Sequence, residues 1–157
     1  MNKDTIAIKR YTNRIRLKAP LNKVVEFHSD SRALKKLTPP PIIVTFNEIQ
    51  PLGEQSVTDF TMWFGPLPVR WVAVHSDVDT RQGFTDEQVR GPFSYWRHRH
   101  SFIVVDEQTT DVVDEIRAEI GKGLGFGLLS RFMWLTAPLL FAYRARVMRR
   151  ELERGHA

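Results

Sequence analysis

The sequence predicts an α+β fold in which one antiparallel β-sheet is covered by a long C-terminal helix. Three observations lead to this prediction. Between residues 42 and 120, apolar and polar residues alternate with a period of two, and short turn signals interrupt the pattern. The segment that follows, about residues 128–152, has apolar residues at helical spacing. With 157 residues, of which 42% are apolar and 26% charged, the chain has the size of one globular domain, so we expect 1–157 to form a single domain.

The first part of the chain predicts one strand and two short helices. Residues 11–18 alternate cleanly between apolar and polar side chains, which indicates a half-buried strand. Pro20 suits the first turn of a helix, and the apolar residues behind it follow helical spacing. We expect Asp30 to cap a second short helix, which the proline run Pro39–Pro41 ends.

Six further strands are predicted, and their short connections imply an antiparallel meander. We place these strands at 42–49, 55–64, 69–79, 83–89, 95–105 and 109–120. A glycine-rich segment then leads into the final helix, and we expect it to form a loose hinge. Its glycines are Gly121, Gly123, Gly125 and Gly127. Their spacing does not match a phosphate-binding loop.

The final helix, over about 128–152, carries two apolar stripes. We expect the main stripe to cover the sheet, and it consists of Leu128, Phe132, Leu135, Leu139 and Tyr143. The second stripe lies on the opposite side and suggests another contact, with the partner of a homodimer, a membrane surface or a flanking strand edge; it consists of Trp134, Phe141 and Met148. The uncharged run 132–143 is shorter than the roughly 17–25 residues of a spanning helix, so we expect no transmembrane span.

Composition and charge exclude several classes of chemistry. The absence of cysteine excludes disulfides, thiol nucleophiles and cysteine-bound metals. The net charge is +5, and the arginines near the C-terminus are typical of the solvated end of a helix. No nucleic-acid-binding motif accompanies this charge, so we expect no nucleic-acid partner. Because no apolar stretch follows the charged N-terminal residues, we expect a cytoplasmic protein.

Strand alternation predicts a concave wall that combines aromatic and titratable side chains. On 95–103, Arg97 and Arg99 mark one face as solvent-exposed, so the other face, with His98 and His100, should point inward. On 111–120, Asp114 falls among apolar neighbours on the inward face. A buried carboxylate requires a partner, so we expect Asp114 to hydrogen-bond His98 or His100.

The segment GFTDEQVRGPFSYWRHRHSF, residues 83–102, resembles the SRPBCC or START-like superfamily. The similarity is greatest to the small single-domain bacterial branch of polyketide cyclase/dehydrase and lipid-transfer type. The segments LTPPP (37–41), GPLPVRW (65–71) and FAYR (141–144) also resemble this branch. The resemblance implies a helix-grip fold, in which a curved seven-stranded sheet wraps around the C-terminal helix. It also implies a cavity for hydrophobic ligands between sheet and helix, and neither a cofactor nor a metal.

The predicted function is binding or transport of a small hydrophobic ligand (a lipid, isoprenoid or polyketide-like molecule) without covalent chemistry. The residues expected to line the ligand cavity are Phe60, Met62, Phe64, Trp71, His75, Gln88, Trp96, His98, His100, Phe102, Asp114, Ile116, Leu135 and Leu139. Aromatic members would form the apolar wall, and the polar members would anchor the ligand.

Other interpretations of the histidine cluster stay open. The pair of Asp114 with a histidine is a structural network, or it is the general base of a cofactor-independent cyclase or dehydratase, for which His98, His100 and Asp114 are the candidates. The His-x-His pattern also suits a metal, with His75 or Asp114 as third ligand, although we expect none. A membrane-surface or protein-interaction role for the C-terminal helix is the remaining alternative.

Overall fold

The computed structural model describes residues 7–154 and confirms the predicted architecture. The elements are β1 (Lys9–Leu17), α1 (Leu21–Ser29), α2 (Ala33–Leu37), β2 (Ile43–Ile49), β3 (Val57–Phe64), β4 (Leu67–Asp79), β5 (Gly83–Arg90), β6 (Tyr95–Asp106), β7 (Thr109–Glu119) and α3 (Leu124–Leu152). The seven strands form one curved antiparallel sheet in the order β1-β7-β6-β5-β4-β3-β2. Because β1 and β2 lie at opposite edges, α1 and α2 carry the chain from one edge to the other.

The strand register brings three neighbouring strands together at the titratable residues. His98 of β6 lies opposite Asp86 of β5, and His100 of β6 lies opposite Asp114 of β7. Both histidines are two residues apart on one strand, so their side chains point to the same face. The same alternation places Asp86 and Asp114 on that face.

Two apolar clusters hold α3 against the concave face of the sheet. One cluster packs the C-terminal part of α3, with Met148, against α1 and the β1/β7 edge, where Leu17 and Val112 are fully buried. The other packs the middle of α3, with Phe141, against Trp71 and its neighbours. Full burial of such a side chain contributes about 1.5–3 kcal/mol.

The predicted orientation of α3 is wrong. The stripe expected to cover the sheet is largely exposed, with Leu135 at 78% and Leu139 at 74%, and Leu128 and Phe132 are also more than half exposed. Phe141 and Met148, which were expected to face outward, are instead buried against the sheet. The membrane or interaction role assigned to these two side chains is therefore wrong as well.

Small residues explain this reversal. Ser130 and Ala137 lie on the buried face of α3, in line with Phe141 and Met148. Their short side chains let the helix approach the sheet closely, but they add little to an apolar pattern. Ser130 also ties the start of the helix to the end of the sheet, because its Oγ accepts a hydrogen bond from the Gly121 amide at 2.9 Å.

The predicted glycine hinge is partly wrong. Helix α3 begins at Leu124, so Gly125 and Gly127 belong to the helix and only Gly121 and Gly123 lie in the connection. Gly123 has a positive φ of 77°, which suits its place directly before the helix.

Within residues 7–154, α3 is the one helix that is long and apolar enough to span a membrane by length and composition. In the fold it lies across the sheet, and the side chains of Phe141, Val147, Met148 and Leu152 are buried there.

Candidate functional site

A cavity of about 410 Å³ lies between the concave face of the sheet, the short helices α1 and α2, and α3. Nine of the fourteen predicted residues line it: Phe60, Met62, Phe64, Trp71, His75, Trp96, His98, His100 and Leu139. The aromatic rings among them pack on one another; Trp71, for example, meets Trp96 edge to face with ring centroids 5.4 Å apart.

Five predicted residues do not line the cavity: Gln88, Phe102, Asp114, Ile116 and Leu135. Gln88 instead holds the turn before β6, since its side-chain amide donates to the Phe93 carbonyl at 2.7 Å. Phe102 and Ile116 are buried in the two apolar clusters, and Leu135 lies on the exposed face of α3. Asp114 is buried and hydrogen-bonds His98, which does line the cavity.

The centre of the site is a four-residue cluster of Asp86, His98, His100 and Asp114, which we call the Asp–His quartet. His98 Nε2 lies 2.9 Å from Asp114 Oδ1, so the predicted hydrogen bond is present. His100 Nε2 lies 3.0 Å from Asp86 Oδ2. Each histidine also lies near the other carboxylate. His100 Nδ1 is 3.1 Å from Asp114 Oδ1, but the angle does not allow a hydrogen bond. His98 Nδ1 is 3.7 Å from Asp86 Oδ2. Each imidazole therefore hydrogen-bonds one carboxylate and lies close to the other.

The quartet holds at least one proton on His100. Burial lowers the pKa of His100, but the neighbouring carboxylates of Asp114 and Asp86 outweigh burial and raise it to about 9. For His98, burial and the charge of His100 lower the pKa, so this ring is neutral at physiological pH. Burial raises the pKa of both carboxyls, yet the histidines more than compensate: the pKa of Asp86 is lowered, and that of Asp114 is well below its usual value.

Among the cavity-lining residues that sequence reasoning missed, three are ionisable and not exposed: Asp86, His28 and Arg144. Alternation along β5 was the available signal for Asp86, because it shares a face with the buried Phe84. For His28, the available signal was its place in the helical spacing of the apolar residues of α1. Arg144 lies in the FAYR segment, but the prediction treated it as part of the solvated end of α3.

Arg144 and His28 differ in charge. Within residues 7–154, the one hydrogen bond of the Arg144 side chain runs from Nε to the Leu37 carbonyl at 3.2 Å, and the guanidinium lies 5.4 Å from the Phe141 ring. His28 Nδ1 lies 2.7 Å from the Val24 carbonyl, so that nitrogen carries the hydrogen. Burial lowers the pKa of His28 to about 4, which keeps the ring neutral.

His75 occupies a separate part of the cavity wall. Its Nδ1 lies 3.0 Å from Ser56 Oγ and 3.1 Å from the Ser56 carbonyl. Burial lowers its pKa, so His75 contributes a neutral ring to the wall. It does not take part in the Asp–His quartet.

No protein-family model matches the sequence, and no curated protein sequence matches it significantly. Solved structures do match the fold. The Zhui aromatase/cyclase from Streptomyces sp. R1128 has a TM-score of 0.73 at 15% identity, over 96% of this chain and 97% of that one. A START superfamily protein from Mycobacterium smegmatis has a TM-score of 0.68 at 11% identity, over 92% and 97%.

Norcoclaurine synthase from Thalictrum flavum, solved in complex with dopamine and hydroxybenzaldehyde, also matches. Its TM-score is 0.63 at 15% identity, over 92% of this chain and 86% of that one. Together these structures show that the chain has the SRPBCC or START-like helix-grip fold, as its sequence motifs indicated.

Proposed function

We propose that this protein binds a small hydrophobic molecule in the cavity between the sheet and α3. The observation that carries the proposal is the cavity itself, whose wall is mainly aromatic and aliphatic but includes a cluster of charged side chains. Pockets that recognise small molecules typically combine an apolar wall with a few fixed polar groups.

The volume of the cavity limits the size of the ligand. Small-molecule pockets range from roughly 300 to 1,000 Å³, and this one, at about 410 Å³, falls near the lower limit. A single-chain or few-ring lipid, isoprenoid or polyketide-like molecule suits that volume better than a lipid with two acyl chains. The apolar body of such a ligand would pack on Phe60, Trp71 and Trp96.

The polar end of the ligand should carry a hydrogen-bond acceptor. Arg144 lines the cavity, and its hydrogen bond to Leu37 uses Nε, which leaves the other two guanidinium nitrogens as donors. A buried cation gains most from a carboxylate or carbonyl oxygen that pairs with it. We therefore favour a ligand such as a medium-chain carboxylic acid or ketone.

The proposal is tested by isothermal titration calorimetry with decanoic acid and 1-decanol. Both probes should bind one per chain, and the Arg144→Met variant should lose about 10-fold or more of its affinity for the acid, with a smaller loss for the alcohol. Arg146→Met is the matched control, because Arg146 is an exposed residue of the same helix. Failure of the wild type to bind either probe would count against the proposal.

A cavity-filling variant tests the place of binding. Ala33 of α2 lines the cavity, so Ala33→Phe should abolish binding of both probes. Ala142 of α3 is exposed and does not line the cavity, so Ala142→Phe should bind as the wild type does. Equal loss in the two variants would show that the probes bind elsewhere.

A second candidate function is proton transfer to or from a bound carbonyl compound. It is favoured by the neutral His98, whose ring is oriented by Asp114 and whose Nδ1 is on the side of Asp86. A His–Asp pair of this kind is suited to act as a general base. The wild type would then accelerate solvent deuterium exchange at the α-carbon of a bound β-diketone, and His98→Gln would not. Exchange at the uncatalysed rate with the wild type would remove this candidate.

A further inference from the structure

Three members of the Asp–His quartet each offer a ligand atom on the cavity wall. They are Asp86, His98 and His100, and their ligand atoms lie within 4.8 Å of one another. Asp86 Oδ2 is 3.0 Å from His100 Nε2 and 3.7 Å from His98 Nδ1. Ligands bound tetrahedrally to one zinc ion at about 2.0–2.2 Å lie roughly 3.2–3.6 Å apart. The two separations that involve Asp86 Oδ2, 3.0 and 3.7 Å, lie within about 0.2 Å of this range.

The remaining nitrogen of His98 is held in the way that metal-binding histidines are held. His98 Nε2 hydrogen-bonds Asp114 Oδ1 at 2.9 Å, and this carboxylate is buried, with only 3% of the residue exposed. A carboxylate behind a metal-bound histidine fixes the orientation of the ring and raises its basicity. His100 Nδ1 lies 3.1 Å from the same oxygen, but the direction does not suit a hydrogen bond.

The charges of the surrounding groups also favour a cation. Asp86 and Asp114 contribute two negative charges, and Arg144 is the one arginine or lysine that lines the cavity in the described residues. With both histidines neutral, as metal binding requires, the quartet carries a charge of −2, and Arg144 reduces the charge of the site to −1. A divalent cation would replace the hydrogen-bonded proton between His100 and Asp86.

We infer that Asp86, His98 and His100 form a binding site for a first-row divalent transition-metal ion, with Asp114 as the residue that positions His98. All three ligands line the cavity, so the open coordination position of the ion faces the bound molecule. Two imidazoles and one carboxylate suit Zn²⁺ and its neighbours in the first row better than Mg²⁺ or Ca²⁺. The third ligand is thus Asp86, rather than the His75 or Asp114 that the sequence suggested.

The test is equilibrium dialysis of chelator-treated, untagged protein against Zn²⁺, with bound metal measured by mass spectrometry. The wild type should bind one Zn²⁺ per chain. Removing a residue that supports a metal ligand typically lowers metal affinity by roughly 10–100-fold, and Asp114→Asn should lower the affinity for Zn²⁺ by about that factor. Asp86→Asn and His98→Gln remove ligands themselves, so their loss of Zn²⁺ affinity should be larger. The positioning role of Asp114 is read separately from the visible spectrum of bound Co²⁺, which should change in Asp114→Asn.

Two variants serve as matched controls. Asp106→Asn removes an exposed carboxylate at the end of β6, and His156→Gln removes a histidine beyond the described residues; both should bind Zn²⁺ as the wild type does. Thermal unfolding without metal shows which variants are folded, and Zn²⁺ should raise the melting temperature of the wild type but not of Asp86→Asn or His98→Gln. Substoichiometric binding by the wild type, or wild-type affinity in both ligand variants, would overturn the inference.

This outcome is independent of the proposed function. Decanoic acid and 1-decanol are titrated into the chelator-treated protein, so binding of these probes without Zn²⁺ binding would overturn the metal site alone. Binding of Zn²⁺ without either probe would support the metal site and contradict the ligand-binding proposal.

Discussion

The imidazole rings of His98 and His100 stack with their centroids 3.8 Å apart and their planes inclined by 36°. This contact follows from their positions two residues apart on β6, which place both side chains on the concave face. Each ring hydrogen-bonds one carboxylate of the quartet, and both rings form part of the cavity wall. Asp86 also lines the cavity, whereas Asp114 is buried and does not.

Removing Asp114 should destabilise the fold strongly. The Asp114→Ala change leaves two buried histidines, one of them protonated, without their shared carboxylate, so the free energy of unfolding should fall by about 3–5 kcal/mol. Glu115→Ala, on the exposed face of the same strand, should change it by no more than about 0.5 kcal/mol. Urea unfolding of the two variants checks this prediction, which fails if both changes cost the same.

Gly83 supports the quartet through its lack of a side chain. It has a positive φ of 124°, and a Cβ at this position would overlap the backbone carbonyl of His100. Gly83→Ala should therefore destabilise the protein by about 3 kcal/mol and displace His100.

Gly65 provides the control for Gly83. It also has a positive φ, of 61°, but it faces open space, so Gly65→Ala should cost only about 1 kcal/mol. Thermal unfolding and the histidine resonances in an NMR spectrum measure both effects. Wild-type His100 resonances in Gly83→Ala would contradict the proposed support.

The orientation of α3 is tested by truncating one residue on each face. Met148 is 3% exposed and lies in the apolar cluster below α1, so Met148→Ala should cost about 2–5 kcal/mol. Leu135 is 78% exposed, so Leu135→Ala should cost no more than about 0.5 kcal/mol. Chemical denaturation measures the free energy of unfolding of both variants. A larger loss in Leu135→Ala than in Met148→Ala would show that the helix is rotated.

Acid stability should depend on a carboxylate far from the cavity. Asp111 of β7 accepts hydrogen bonds from Arg16 and Arg14 of β1, and these lower its pKa from 3.8 to about 2. A carboxyl whose pKa is lowered by folding stabilises the protein above its unfolded pKa, and this contribution is lost as the pH falls through the folded pKa. The relevant range is therefore pH 4 to 2.

The Asp111→Asn variant measures that contribution. Since both arginines are more than half exposed, the contribution should be about 1 kcal/mol, well below what the pKa shift alone implies. The stability difference between wild type and Asp111→Asn should be constant from pH 7 to 5 and should shrink between pH 4 and 2. A difference that persists to pH 2 would refute the role of this ion pair.

The sheet could be predicted from the sequence because its signal is local. Alternation on β6 and β7 assigned His98, His100 and Asp114 to the concave side, and turn residues gave the antiparallel order. The Asp114–His98 hydrogen bond followed from the cost of burying a carboxylate.

Residues whose burial depends on tertiary contact could not be assigned in this way. Helix α3 is apolar on two faces, so its periodicity did not show which face meets the sheet; the small side chains of Ser130 and Ala137 decide this. Arg144 looks like its exposed arginine neighbours in sequence, and only the packing of α3 brings it to the cavity. Asp86 was recognisable by alternation, but its contact with His100 required the register of β5 and β6.

The central claim is that the cavity holds a small apolar molecule, and native mass spectrometry of the purified protein tests it most directly. After incubation with an equimolar mixture of decanoic acid and 1-decanol, the wild type should carry one bound molecule per chain, mainly the acid. Ala33→Phe should remain at the mass of the free chain, and Ala142→Phe should behave as the wild type does. A wild-type protein that stays at the mass of the free chain, or an Ala33→Phe variant that binds as fully as the wild type, would contradict the claim.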